Sequence, residues 1–147
     1  MKLTKVFVAL TGASGSVYGL RLVEQLCLNG IEVTFTASCS GTQVCREETG
    51  LDLSGDPAKA AQRLYAHLEV EAGLEMIHPD DLFCPAASGS AAPDAMIIAP
   101  CSMGTLARIA CGISGNLIER AADVMIKERR PLLLVRYCNP VRFQNLV

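Results

Sequence analysis

The chain has 147 residues, 50% of them apolar and 19% charged, as expected of one packed domain rather than a disordered or membrane protein. Residues 1–107 carry six Lys and Arg against twelve Asp and Glu, whereas residues 108–147 carry seven Lys and Arg against three Asp and Glu. The basic C-terminal part indicates a small anionic ligand or a solvated face. The chain has seven aromatic residues and no Trp, which excludes a base-stacking nucleic-acid surface. Seven cysteines without a CxxC pair, and no signal-peptide pattern, predict a reduced cytoplasmic protein without a metal site.

Strand and helix signals alternate along the chain. Residues 5–10 form a short, mostly apolar run that predicts a strand covered on both faces, and apolar spacing over 17–29 predicts a helix that ends at Gly30. The same criteria predict strands over 31–37, 95–99 and 131–135, and helices over 40–49, 57–72, 102–111 and 116–128. The alternation predicts one α/β domain with a mainly parallel sheet.

The segment between the first strand and the first helix reads Thr-Gly-Ala-Ser-Gly-Ser over residues 11–16. Ligands of open α/β sheets bind at the carboxyl ends of strands, where free amide groups of a helix N-terminus attract phosphate. Gly12 and Gly15 leave room for a ligand, and Ser14 and Ser16 add hydroxyl groups. The pattern matches neither the Walker A motif nor the dinucleotide fingerprint, so a phosphate site and a simple capped turn remain alternatives.

A second strand-to-helix turn of small and hydroxyl residues lies over 99–106, with Ser102 among the candidate helix caps. Two such turns at one edge of the sheet would line one pocket. Cys101 is predicted to be a buried thiol rather than a nucleophile, because no histidine lies near it in the sequence. His67 and His78 fit neither a metal nor a triad pattern and are predicted to lie at the surface.

The helix predicted over 116–128 carries the densest set of charges. Glu119, Asp123 and Lys127 recur every four residues, so we expect them on one face, where they can pair. Arg120 lies off this stripe, and it either points to solvent or turns into a cleft to bind phosphate. Periodicity alone favours the solvent-exposed helix.

Three long motifs follow one another along the chain, VALTGASGSVYGLRL, APCSMGTLA and NLIERAADVMIKERRPLLLV. Together they closely resemble the flavin prenyltransferase (UbiX) family, formerly described as phenylacrylic or 3-octaprenyl-4-hydroxybenzoate decarboxylases. The resemblance implies a Rossmann-like (flavodoxin-like) three-layer sandwich, similar to the flavin-containing cysteine decarboxylases, with FMN between the subunits of a homo-oligomer, a trimer or a dodecamer. It also implies transfer of a dimethylallyl group from dimethylallyl phosphate to N5 and C6 of reduced FMN, which makes a prenylated flavin for a separate decarboxylase.

The resemblance also implies roles for individual residues. It places Arg120 at the FMN and prenyl-phosphate site, against the preference from periodicity, and Lys127 near the substrate phosphate. It implies that Glu48 handles protons and that Ser14 serves both FMN binding and catalysis. The other residues implied to contact FMN are Gly12, Ala13, Ser38, Ser88, Ser90, Ser102, Met103, Gly104, Thr105 and Leu106.

The chain departs from the family pattern after the PLLLV strand. Tyr137 and Cys138 stand where the family has arginine and glutamate, and the family's closing segment, with the tyrosine and basic residue that bind dimethylallyl phosphate, does not follow. We therefore expect FMN binding to survive and prenyl transfer to be impaired, with a catalytically silent FMN-binding protein of the same fold as the alternative. A cysteine decarboxylase is less favoured, because neither histidine lies in a matching motif.

Overall fold

The centre of the molecule is a parallel sheet of five strands, seen in a computed structural model that describes residues 3–136. The strands are β1 (Lys5–Leu10), β2 (Glu32–Ala37), β3 (Leu74–Met76), β4 (Ala95–Ile98) and β5 (Leu132–Leu134). Their order across the sheet is β3-β2-β1-β4-β5, and every neighbouring pair is parallel. This order is that of the Rossmann fold, and it confirms the predicted α/β class.

Within residues 3–136, five helices and two short 3₁₀ turns connect the strands. The helices are α1 (Ser16–Leu28), α2 (Cys39–Thr49), α3 (Pro57–Leu68), α4 (Met103–Ala110) and α5 (Leu117–Lys127), and the 3₁₀ turns are Pro85–Ala87 and Gly89–Ala91. The first three helices lie before β4 in the chain and the last two after it. Since a parallel sheet buries both faces, the helices must cover it on both sides.

Alternate side chains of β1 point into two separate apolar cores. Val8 and Leu10 belong to a core that includes residues of α1, α2 and α3, whereas Phe7 and Ala9 belong to one that includes residues of α4 and α5. This division follows from the period of two along a strand. Since both faces of β1 are covered, its nearly continuous apolar run is explained, as predicted.

Two predicted features of the middle segment differ from the structure. The helix predicted over 57–72 ends at Leu68, because Glu69 adopts a left-handed backbone with φ of 53° and its amide donates to the Tyr65 carbonyl. Strand β3, which follows, was missed, because three residues are too few to show a period of two. The predicted four-stranded sheet is therefore one strand too small.

The composition predicts free cysteines and no membrane-spanning segment. No helix within residues 3–136 is long and apolar enough to cross a membrane. All six cysteines in this range are free, and Cys45, Cys84 and Cys101 are buried. Tyr137 and Cys138, where the chain departs from the family pattern, lie outside the described residues.

Candidate functional site

The loops that follow β1 and β4 meet where the strand order of the sheet reverses. The hydroxyl group of Thr11, at the end of β1, donates to the Pro100 carbonyl over 2.7 Å and accepts from the Ser102 amide over 2.8 Å. The Thr11 amide also donates to the Pro100 carbonyl, over 3.2 Å. Ligands of open α/β sheets bind at this switch point. The structure thus brings the two predicted turns together, through a threonine that the sequence did not single out.

The N-terminus of α1 is closed by a carboxylate of the chain itself. Glu48, near the end of α2, accepts hydrogen bonds from the Gly15 amide, at 3.1 and 3.2 Å to its two oxygens, and from the Ser16 amide at 2.8 Å. Gly15 has a φ of 108°, which only glycine adopts readily. Of the two alternatives for this turn, the structure shows a capped helix, in which Glu48 supplies the anion at the N-terminus of α1.

Exposed amide groups remain at the starts of α2 and α4. Ser38 caps α2 by accepting from the Gly41 amide over 3.0 Å, and Ser102 caps α4 by accepting from the Thr105 amide over 3.2 Å. Each cap leaves the first two amides of its helix without a partner among the described residues, as helix geometry requires. These helix N-termini, rather than that of α1, offer donors to an anion.

Glu119, the first of the three charged residues predicted to share a face of α5, is buried. Glu119 is only 3% exposed, and its carboxylate accepts from the Arg108 guanidinium of α4 and, over 2.8 Å, from the Gly115 amide. It therefore joins α4 to α5, whereas Asp123 pairs with Arg120 and Lys127 pairs with Glu128. The prediction of one shared charged face was wrong, because the period of a helix does not reveal a partner on another helix.

Arg120 lies in the first half of α5, with its side chain 48% exposed. Its nearest acidic partner is Asp123, at 3.8 Å between Nη1 and Oδ2. An exposed pair at this distance contributes about 0.5 kcal/mol or less. The guanidinium is consequently available to an anionic ligand, and it lies towards the carboxyl edge because α5 starts there and descends to the start of β5.

Ser88, Ser90 and Lys127 lie at the opposite edge of the sheet. The two serines precede β4, with their hydroxyl oxygens 3.2 Å apart, and Gly89 between them packs against Glu128, just after α5. Lys127 pairs with the same Glu128 over 3.6 Å. Within one chain these three residues do not join the others predicted to bind FMN.

Comparison with known proteins shows which family the chain belongs to. The family model described as Flavoprotein matches residues 1–146. The chain belongs to the flavoprotein family. This flavoprotein is 46% identical to the flavin prenyltransferase UbiX of Pseudomonas aeruginosa over 132 residues, which are 89% of the chain and 63% of that relative. It is also 46% identical to UbiX of Halalkalibacterium halodurans over 143 residues, covering 95% of the chain and 68% of that relative. The resemblance to the UbiX family is confirmed, and the chain spans about two thirds of the length of these relatives.

Solved structures share the fold of the flavoprotein. AnUbiX (PadA1) in complex with FMN and dimethylallyl pyrophosphate has a TM-score of 0.77 at 30% identity, covering 99% of the chain and 72% of its own. A dodecameric FMN-dependent UbiX-like decarboxylase from Escherichia coli O157:H7 has a TM-score of 0.77 at 33% identity, covering 93% and 68%. These similarities confirm the Rossmann-like fold class.

A cleft of about 510 Å³ runs alongside the carboxyl edge of β2 in the flavoprotein. Cys39 and Arg46 of α2 form one side, and His78 and Asn116 line it farther on. Asn116 caps α5, the helix of Arg120. The cleft therefore extends from the N-terminus of α2 to the N-cap of α5, the helix that carries Arg120.

The donors at this edge of the flavoprotein fit a flavin phosphate. Two helix N-termini with exposed amides, the serine hydroxyls around them and one arginine are the groups that bind phosphate in proteins. Cys101, in the same turn as Ser102, is buried, and this burial raises the pKa of its thiol. The prediction that Cys101 is a buried thiol is confirmed, and His67 and His78 are exposed, as predicted.

Replacing Glu48 with glutamine is expected to lower the stability of the flavoprotein in a pH-dependent way. Burial would raise the pKa of Glu48, but the hydrogen bonds from the Ser16 and Gly15 amides outweigh it, and the pKa is lowered from 4.5. The carboxylate therefore stabilises the folded chain fully above the pKa of the unfolded side chain, and this stabilisation is lost as the pH falls through the lower folded value. We expect Glu48→Gln to cost roughly 0.5–1 kcal/mol at pH 7, since the group is largely exposed.

Urea unfolding between pH 7 and pH 3 measures this effect. The difference in unfolding free energy between wild type and Glu48→Gln should narrow towards the acid end of the range. Glu47→Gln, at the exposed neighbouring position, is the matched control and should track the wild type. A difference for Glu48→Gln that stays constant over the whole range would contradict the assigned role of the ionised carboxylate.

Proposed function

We propose that the chain carries the FMN site of a flavin prenyltransferase, which transfers a dimethylallyl group from dimethylallyl phosphate to reduced FMN. Reduced FMN, when bound, supplies an electron-rich ring as the acceptor. The observation that carries the proposal is the meeting of two hydroxyl-rich loops at the switch point of the sheet. The 46% identity to relatives named flavin prenyltransferase UbiX supports the same activity.

FMN binding rests, in this proposal, on residues at the carboxyl edge of the sheet. Ser14 and Ser38 offer hydroxyl groups, and the exposed amides of the first turn of α4 offer further donors. Gly12 lets the β1–α1 loop lie against the start of α2, since a Cβ atom there would stand 2.5 Å from Ser40 Oγ. The remaining residues assigned to FMN at this edge are Gly12, Ala13, Ser102, Met103, Gly104, Thr105 and Leu106.

The transfer step develops opposite charges on the two parts of the prenyl donor. Breaking the allylic C–O bond places positive character on the prenyl carbon and negative charge on the leaving phosphate. Arg120 can receive that phosphate with two parallel N–H donors. Ser14, exposed beside Gly15, offers a hydroxyl donor at the same edge. The protein thereby stabilises the leaving group, whose charge grows as the bond breaks.

Glu48 is the carboxylate proposed to handle a proton. Its lowered pKa keeps it ionised, but it also makes the carboxylate a weak proton acceptor while the Gly15 and Ser16 amides hold it. Loss of these two hydrogen bonds would raise the pKa of Glu48 and make it a better proton acceptor. A phosphate that competes for the α1 N-terminus would break these hydrogen bonds.

A homo-oligomer completes the proposed site. Ser88, Ser90 and Lys127 reach the flavin only from a second copy, because they lie at the other edge of their own sheet. Tyr18 and Met103, exposed by 66% and 58%, offer apolar surface to such a neighbour at the carboxyl edge. The dodecameric neighbour from Escherichia coli supports an assembly of this kind, a trimer or a dodecamer.

Two further parts of the proposal concern the cell. The prenylated flavin serves a separate decarboxylase as its cofactor, and the chain works in the cytoplasm. The cytoplasmic location is supported by free cysteines, including Cys39 and Cys111 at the surface, which are typical of a reducing compartment.

A direct assay tests the proposed function. The purified protein, with reduced FMN and either dimethylallyl phosphate or dimethylallyl pyrophosphate, should yield a flavin heavier than FMN by one dimethylallyl group in a mass spectrum. We expect this product with one of the two donors, and the comparison identifies which. Bound flavin in the visible spectrum without product would favour a silent FMN-binding protein, and no flavin binding at all would contradict both functions.

A further inference from the structure

The Thr11 side chain joins two loops that are far apart in sequence. Thr11 is 1% exposed and directly follows β1, and its hydroxyl donates to the Pro100 carbonyl and accepts from the Ser102 amide. A threonine hydroxyl has one proton and two lone pairs, so one group serves both contacts. The partners lie 89 and 91 residues away along the chain. Thr11 thus fixes the end of β1 against both sides of the turn into α4.

The contact continues into the first turn of α4. The Ser102 hydroxyl donates to the Thr105 hydroxyl over 3.0 Å and accepts from the Thr105 amide over 3.2 Å. Thr11 holds the Ser102 backbone, and the Ser102 side chain in turn holds Thr105. The position of the α4 N-terminus relative to the β1–α1 loop is therefore set by a chain of three hydroxyl-bearing residues, beginning at Thr11.

We propose that Thr11 is a positioning residue for the flavin site, which acts through Ser102 and does not itself touch the ligand. The inference rests on the proposed function, because residues 102–106 and 12–14 are the two segments assigned to FMN there. Valine has nearly the shape of threonine but no hydroxyl group, so it would leave the Ser102 amide without its acceptor. A displacement of about 1 Å between two binding segments costs roughly a hundredfold in rate.

The proposal predicts a loss of flavin binding or turnover in Thr11→Val that exceeds any loss of fold. We expect the FMN dissociation constant, from quenching of flavin fluorescence, to rise roughly tenfold to a hundredfold, or kcat to fall by a similar factor. Thr11→Ser keeps the hydroxyl group and should restore values near wild type. The absorption and circular dichroism bands of bound flavin should shift in Thr11→Val and not in Thr11→Ser.

A second buried threonine provides the control. Thr36 in β2 is 0% exposed, and its hydroxyl donates to the Ile77 carbonyl over 2.8 Å. Thr36→Val removes a buried hydroxyl without touching the switch point, so it should lower the melting temperature and leave FMN affinity unchanged in the folded protein. Equal losses of FMN affinity in Thr11→Val and Thr36→Val would overturn the proposal, because general destabilisation would then explain both.

Further results for the wild type and for two variants of Thr11 also test the positioning role. Wild-type FMN affinity, kcat and flavin spectrum in Thr11→Val would overturn the positioning role while the proposed function stands. If the wild type binds no FMN, the proposed function fails first and the inference falls with it. Should Thr11→Val not fold, Thr11→Cys carries the test, since a thiol is a weak hydrogen-bonding group of similar size. Wild-type binding and turnover in Thr11→Cys would overturn the proposal.

Discussion

Gly19→Ala is expected to lower the free energy of unfolding by about 3 kcal/mol or more, a large share of the roughly 5–15 kcal/mol that is typical of a domain. A Cβ atom at Gly19 would stand 2.1 Å from the Ala99 carbonyl oxygen and 2.7 Å from Leu10 Cδ1. Neither distance is possible, and the nearer atom belongs to the backbone just after β4, so α1 would have to move away from the sheet. Helix propensity alone favours alanine by about 1 kcal/mol, and the clash outweighs it.

Urea unfolding of Gly19→Ala and Gly104→Ala tests the cause of the loss. Gly104 is also helical, but the nearest atom to an added Cβ is Arg108 Nη1 at 3.3 Å, at the end of a flexible side chain. Gly104→Ala should therefore be neutral or stabilising by up to about 1 kcal/mol. Wild-type stability in Gly19→Ala would show that α1 does not approach the end of β4 as closely as described.

The elements that sequence patterns predicted well are those whose surroundings are uniform. Strand β1 matched its predicted bounds, Lys5–Leu10, because a strand covered on both faces is apolar at nearly every position. The end of α3 was missed, since the left-handed conformation of Glu69 is uncommon for a residue other than glycine and has no sequence signal. Strand β3 has its partner in β2, and its three residues give no pattern of their own.

Sequence patterns predicted less of the candidate site than of the fold. The two turns could be recognised from their small and hydroxyl residues, and the strand order then brought them together. The contacts that shape the site join residues far apart in sequence. Glu48 lies 33 residues from Gly15, and Thr11 lies 91 from Ser102. Neither partner could be assigned from local spacing, although a polar residue at the end of an all-apolar strand was a signal for Thr11.

Arg120→Ala is expected to reduce kcat/KM for prenyl transfer by roughly a hundredfold to a thousandfold, as is typical when one donor to a developing negative charge is removed. The same change should alter the unfolding free energy by less than about 1 kcal/mol, because Arg120 is 48% exposed and its pair with Asp123 spans 3.8 Å. Steady-state rates with reduced FMN and dimethylallyl phosphate, together with thermal unfolding, measure both quantities. Arg120→Lys should recover only part of the activity, since lysine lacks the planar pair of donors.

Asp123→Ala separates the two possible roles of Arg120, because it breaks the same ion pair and leaves the guanidinium in place. If Arg120 binds phosphate, Asp123→Ala keeps its activity, and affinity for the anionic substrate rises slightly as a nearby negative charge is removed. If Arg120 only stabilises α5, the two alanine variants lose similar melting temperature and retain similar kcat/KM, and the solvent-exposed helix favoured by periodicity is then the correct interpretation. The two outcomes are distinct because the side chains carry opposite charges. Affinity for a phosphate falls when the positive charge of Arg120 is removed and rises when the negative charge of Asp123 is removed, whereas the stability given by the ion pair is lost in either variant.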